Sequence, residues 1–244
     1  MTETNSRMGV IFDLDGVLVD TGWAHKQAWY GLAEKEGFSM SDEFFYSTFG
    51  MRNDQIIPML LEGVSSEEVN QSCRGHLARD SRARRPRHVD QLSEWKEQRY
   101  REIIAEKLTL PAGVGELLSD LKRCGFLLAV GSSAPKANLN LVLERVRIKN
   151  YFDACVTGEE VIEGKPAPET FLKAAEKLGL PPDRCIVVED AVQGLEAGKA
   201  AGMPVVAVTT TRDRADLSTA DIIVDCLGEL KAEDFAGLLA SQGL

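Results

Sequence analysis

No apolar run in this 244-residue chain reaches the roughly 18 residues that a membrane-spanning helix needs, so a membrane protein is not expected. Paired cysteines are missing too. The five, Cys73, Cys124, Cys155, Cys185 and Cys226, are odd in number and widely spaced, with no C-x-x-C pair. That pattern argues against a disulfide framework and against a structural zinc site. Positive charge is in deficit, with a formal net charge of -10 and a pI near 4.9. An acidic chain is poorly suited to nucleic acid or an anionic membrane surface, although a local site can still bind anions. The residues before Met8 are polar, so no secretory leader is expected and a cytoplasmic, reducing setting is the default. Nothing in the sequence implies an obligate protein partner.

What the chain does have is alternation. Val10–Phe12, FLLAVG at 126–131, DACVTG at 153–158, CIVVED at 185–190, PVVAV at 204–208 and IIVD at 222–225 read as short buried strands. Between them lie helical patterns. Leu139, Val142, Leu143 and Val146 fall at i, i+3, i+4, i+7, and Phe171, Ala174, Ala175 and Leu178 repeat that spacing before Gly179. Val114, Leu117, Leu118 and Leu121 mark another helix, AVQGLEAGKAAG a helix of small residues, and a last helix is expected near Leu230–Leu239. Uniformly apolar strands alternating with helices predict an α/β fold with a Rossmann-like parallel sheet covered on both faces.

Residues 23–108 have another texture: charged, aromatic and helical by pattern. They read as an α-helical cap inserted into a core made of residues 1–22 and 109–244. Within the cap, residues 73–91 hold six arginines and two of the three histidines, with little that could pack. This insert reads as a solvated segment, the alternative being a phosphate or nucleic-acid contact patch.

Chemistry concentrates at strand ends, where open α/β sheets place their sites. The first strand runs into Asp13-Leu14-Asp15-Gly16, the second into Gly131-Ser132-Ser133, and a later one into Glu189-Asp190. Lys165 sits in the loop GKPAP. Taken singly these are weak signals. The serines and the Glu-Asp pair could cap helices, and Lys165 alone reads as a surface lysine. The D-x-D-G run is no calcium loop, because Val17, Leu18 and Val19 stand where such a loop needs polar ligands. Together they are an ordered set. Close carboxylates stay ionised only with a compensating cation, and Mg²⁺ takes carboxylates together with a substrate phosphate. Gly16 permits the bend that lets two acids one residue apart serve one site.

These segments resemble the haloacid dehalogenase superfamily, in the helical-cap subgroup that contains β-phosphoglucomutase and small phosphatases. FDLDGVLVDT is similar to its first signature motif, VGSS to the second, the lysine of GKPAPETF to the third, and VVEDAVQGLEAGKAAGM to the fourth. The resemblance implies Asp13 as nucleophile and Asp15 as general acid/base. It implies Mg²⁺ held by Asp13, the backbone carbonyl of Asp15 and Asp190, with Glu189 close by, and Ser132 and Lys165 on the phosphoryl group. In the cap, His25, Trp29, Arg52 and Lys96 resemble substrate or hinge positions of the mutase. The expected activity is a Mg²⁺-dependent phosphatase of a small phosphorylated metabolite, such as a sugar phosphate, through an aspartyl phosphate. The alternatives are a β-phosphoglucomutase-type isomerase and a catalytically silent binding protein of the same fold.

Overall fold

The computed structural model describes residues 7–63 and 87–241. Its centre is a six-stranded, all-parallel sheet of β1 (Gly9–Phe12), β2 (Leu127–Gly131), β3 (Ala154–Val156), β4 (Cys185–Glu189), β5 (Val205–Val208) and β6 (Ile222–Val224), in the order β3-β2-β1-β4-β5-β6. The strand that carries the paired aspartates is therefore central, flanked by the strands that carry Ser132 and Glu189. Alternate residues face alternate layers. Val10, Phe12, Leu128, Val130, Ile186 and Val188 belong to one buried cluster, and Ile11, Ala129, Val187, Val205 and Ala207 to the other. Burial on both faces is why these strands carry no polar alternation.

Helices α1 (Gly22–Glu36), α2 (Asp42–Thr48), α3 (Asn53–Glu62) and α4 (Arg87–Lys107) follow β1 in the chain. They build a third hydrophobic cluster with Trp29, Leu32, Phe44, Phe45, Ile57 and Leu92 at its heart. The remaining helices, α5 (Val114–Arg123), α6 (Lys136–Arg145), α7 (Glu169–Leu178), α8 (Val192–Ala200) and α9 (Ala232–Ser241), flank the sheet. Gly179 ends α7 in the left-handed region at φ 68°, as its position in the sequence suggests. The last helix starts at Ala232, two residues later than expected, because a short 3₁₀ turn over Leu227–Glu229 precedes it.

One sequence expectation needs correction. The arginine-rich segment does not extend to residue 91, since α4 begins at Arg87 and Val89 is buried in the third cluster beside Leu92. Val89 and Leu92 stand three apart on one helical face, so Val89 packs, while His88, Asp90 and Gln91 around it are exposed as expected. Residues 73–86 of that segment lie outside the described residues.

Candidate active site

β1 stops at Phe12, and the chain then turns sharply. Gly16 takes φ 90°, its N–H donates to Val19 O at 2.7 Å, and Asp15 bridges Val19. The turn matters because a Cβ at residue 16 would collide with the Asp190 carboxylate. Both aspartates thereby reach one cavity of about 390 Å³, which Ser132 and Ser133 also line.

Asp13, Glu189 and Asp190 form the acidic centre, each offering a carboxylate oxygen within 4.8 Å of the others. Lys165, from the loop between β3 and α7, closes it. Its Nζ donates to Asp13 Oδ1 and to Glu189 Oε1, both at 2.5 Å, and the side chain is 1% exposed. Read alone as a surface lysine, it is instead fully enclosed, with its ammonium over the Phe171 ring. Burial acts to lower this ammonium, but the charges of Asp13 and Glu189 outweigh it and raise it above the ordinary lysine value. Glu189 is fixed on its other oxygen by the N–H groups of Asp190 (2.8 Å) and Ala191 (3.1 Å), so it does cap the chain entering α8 while also holding Lys165. α8 comes this close because residue 194 is glycine, where a Cβ would strike the Glu189 carboxylate.

Burial pushes the Asp13 carboxyl up from 3.8 to about 7, with the Glu189 and Asp15 charges adding to the rise and Lys165 opposing it. Burial, then the Glu189 and Asp13 charges, raise Asp190 well above the usual carboxylate range, although the Thr211 hydroxyl donates to it. Three enclosed carboxylates with one bonded ammonium have more negative charge than they can hold ionised. An oxygen-preferring divalent cation fits that donor set.

The Asp15 side chain faces elsewhere. Oδ1 accepts from the hydroxyls of Thr21 (2.5 Å) and Tyr100 (2.9 Å) and lies 3.3 Å from His25 Nε2. Burial alone would raise this carboxyl; the electrostatic pull of His25 and the bonds from His25, Thr21 and Tyr100 win and hold it at about 2. His25 stacks on Tyr100 at 3.9 Å between centroids, and its Nδ1 lies 2.8 Å from Lys96 Nζ. Nε2–H points at the Asp15 carboxylate, which can only accept. Lys96 is 2% exposed and also bonds Glu97 Oε1 at 2.8 Å, with its ammonium over the Trp29 and Tyr100 rings. Glu97 in turn accepts from Asn53 at 2.6 Å and from Asn138 of α6.

The structure thus brings together Asp13, Lys165, Glu189 and Asp190 in one cluster, and Asp15, His25, Trp29 and Lys96 in a second beside it. Arg52 also lines the cavity, but its guanidinium grips Asp54 and the carbonyls of Val161 (2.9 Å) and Ile162 (3.1 Å). Sequence reasoning missed Thr21, Tyr100, Glu97, Asn138 and Thr211. Tyr100 stands four residues after Lys96 on α4 and Thr21 closes the FDLDGVLVDT segment, so both could have been flagged; the others gave no signal. Further contacts tie α1–α4 to the sheet layers, from the Ser133 hydroxyl to Gly50 O (2.9 Å) and from Gln193 Nε2 to Ser47 O (2.8 Å).

The family profile of haloacid dehalogenase-like hydrolases matches residues 10–208. The phosphorylated carbohydrates phosphatase of Thermotoga maritima is 31% identical over 194 residues, covering 80% of this chain and 81% of that protein. Hexitol phosphatase A of Escherichia coli is 30% identical over 225 residues, covering 91% and 92%. The crystal structure of β-phosphoglucomutase from Clostridium difficile superimposes with a TM-score of 0.81 at 28% identity, over 97% of this chain and 98% of that one. With the signature segments at the central strand ends and the profile spanning most of its length, the chain belongs to the haloacid dehalogenase-like hydrolase family.

Proposed function

We propose that the protein is a Mg²⁺-dependent phosphatase of a small phosphorylated metabolite, a sugar phosphate in type, working through an aspartyl phosphate on Asp13. The observation that carries this reading is the Asp13 carboxylate itself. It stands at the end of the central strand, bonded to Lys165, within the Glu189–Asp190 cluster, and on the wall of the cavity. The phosphatases among its relatives support the same class.

In this reading Asp13, Asp190 and the Asp15 carbonyl hold the metal, with Glu189 beside them, and residues 23–108 act as the lid. The bound metal supplies positive charge to the phosphoryl oxygens and keeps the three acids ionised. An Asp13 oxygen attacks phosphorus, the bond from phosphorus to the ester oxygen breaks, and the leaving oxygen takes a proton from Asp15. Water then attacks the phosphoryl group and gives its proton to Asp15, and the bond from phosphorus to Asp13 breaks, releasing phosphate. Lys165 and the Ser132 hydroxyl hold the phosphoryl oxygens. Asp15 as held here at about 2 is a carboxylate, the form that accepts a proton from water. To serve first as acid it needs a proton, and a phosphate dianion arriving beside it raises its proton affinity.

The contact of Lys96 with His25, and of His25 with Asp15, favours one other reading, a β-phosphoglucomutase-type isomerase. Such an enzyme must keep Asp15 from activating water until a sugar hydroxyl arrives, and a lid residue that reaches Asp15 through His25 could time that step. The test is phosphate release from an aryl phosphate and a panel of sugar phosphates, with and without Mg²⁺. Asp13→Asn should abolish release while the circular dichroism spectrum stays that of the wild type. Retention of substantial Mg²⁺-dependent release by that variant would overturn the mechanism. Conversion of β-glucose 1-phosphate to glucose 6-phosphate with little free phosphate would establish the isomerase instead.

A further inference from the structure

Arg52 immediately precedes α3, in the lid, yet its guanidinium is bonded to the core. One terminal nitrogen donates to the carbonyls of Val161 (2.9 Å) and Ile162 (3.1 Å), 109 and 110 positions away in the chain. Both carbonyls lie in the loop between β3 and α7, just ahead of Lys165. Nε and the other terminal nitrogen donate to the two oxygens of Asp54 at 3.0 and 2.5 Å, a fork that fixes the plane of the guanidinium. Arg52 is 7% exposed and Val161 is fully enclosed. The arginine stem packs on the same loop, since a Cβ at residue 164, next to Lys165, would come within 2.6 Å of Arg52 Cδ. The N–H groups of this loop are held from elsewhere: Glu169, at the start of α7, accepts from Ile162 (2.9 Å) and Glu163 (2.7 Å). The segment that delivers Lys165 to Asp13 is thus tied to α7 through its donors and to the lid through its acceptors.

From this geometry, and resting on the phosphatase reading of the site, we infer that Arg52 is a positioning residue for Lys165. With the lid shut, its guanidinium holds the Val161 and Ile162 carbonyls and so fixes the loop that keeps the lysine ammonium at Asp13. With the lid open, the loop loses that hold. A buried carbonyl stripped of a charged donor bears its own desolvation, so the loop has a reason to shift when the lid leaves. The Lys165 ammonium bonds two carboxylates at 2.5 Å, and a misplacement of about 1 Å in such a group can cost about 100-fold in rate. Closing the lid therefore does two things at once: it excludes water and it seats the cation that takes the phosphoryl oxygens. Arg52 acts on the reaction through the loop and not through the body of the substrate.

Three variants test this on the full chain with Mg²⁺. Arg52→Met removes the guanidinium. Gly164→Ala keeps it but drives its stem off the loop. Gln193→Ala removes another bond between lid and core, to Ser47 O, away from this loop. Phosphate release is followed from glucose 6-phosphate, 4-nitrophenyl phosphate and acetyl phosphate, the last having almost no body to contact. Inhibition by inorganic phosphate is measured beside it, and hydrogen exchange is followed in the peptide 157–168. Arg52→Met and Gly164→Ala should each lower kcat/KM by the same factor on all three substrates, roughly 10- to 100-fold, and weaken phosphate inhibition at least about tenfold. Exchange in 157–168 should quicken at least about tenfold in both. Gln193→Ala should change each quantity by no more than about fivefold, the worth of one neutral hydrogen bond. A loss confined to glucose 6-phosphate would make Arg52 a substrate contact and overturn the inference. Losses in Gln193→Ala equal to those in Arg52→Met would show a loosened lid alone and overturn it as well. Should the wild type release phosphate from none of the three substrates, the phosphatase reading fails, and exchange in 157–168 still decides whether Arg52 fixes the Lys165 loop.

Discussion

Chelation of divalent cations should make this protein less stable as pH rises through neutrality. Without a metal, Asp13, Glu189 and Asp190 are left with the Lys165 ammonium bonded to two of them. Asp13 ionises near 3.8 in an unfolded chain and at about 7 in the fold. Between those values the folded protein carries a proton that the unfolded one has lost, so folding stability declines as pH increases across that window. The whole gap corresponds to about 4 kcal/mol, of which about 2 kcal/mol falls between about pH 5.5 and about pH 8. Asp190, raised for the same reasons, acts in the same direction. Asp15 does not interfere. Held at about 2, it contributes stability that is lost only on acidification towards that value, well below this window.

For a chain of this size, about 2 kcal/mol displaces the melting temperature by roughly 4–8 °C. Mg²⁺ binds the ionised carboxylates and must displace protons at low pH, so its stabilising effect should grow with pH. The assay is a set of melting curves across that range, in a chelator and in excess Mg²⁺. The difference between the two should widen as pH rises. Asp13→Asn should flatten the metal-free slope and melt above the metal-free wild type at the alkaline end. A metal-free melting temperature that is level or rising over the window, or an Asp13→Asn slope equal to that of the wild type, would refute the reasoning.

Three further outcomes are expected. Lys96→Met leaves the Glu97 carboxylate buried without its ammonium, and Glu97→Gln leaves the Lys96 ammonium buried without its carboxylate, so each should cost about 3–5 kcal/mol in urea denaturation and the double variant clearly less than the sum. Gly16→Ala must bear a side chain at φ 90° against Asp190, so it should raise the Mg²⁺ concentration for half-maximal activity at least about tenfold while the fold persists; normal Mg²⁺ dependence would disprove the role of the turn. Tyr100→Phe takes one hydrogen bond from Asp15 and favours its protonated form, the one that donates to the leaving oxygen, so the alkaline limb of kcat/KM should move to higher pH, and an unmoved limb would exclude that bond as a determinant.

The sheet was legible in the sequence because its four inner strands are buried on both faces and its two edge strands partly so, and each appears as an uninterrupted apolar run, from VIF at 10–12 to IIV at 222–224. The acidic centre was legible for a related reason. A parallel sheet delivers the ends of adjacent strands to one edge, so Asp13, Ser132, Glu189 and Asp190 could be expected together once the strands were recognised. The environment of Lys165 was not, since it bonds Asp13 across 152 positions of sequence and only the fold encloses it. Nor was the fate of α4. The resemblance marked Lys96 and His25, 71 positions apart, but composition alone shows Lys96, Glu97 and Tyr100 only as residues of a charged helix. Charge and period along the chain report what a helix can expose; they do not report what another helix brings against it. The sequence by itself determined the layers and which chemical groups stand at the strand ends, because burial and local periodicity are written residue by residue. Which carboxylate is protonated, which lysine is enclosed and which donors are already taken were decided only by the tertiary structure, because desolvation and charge pairing depend on neighbours distant in the chain.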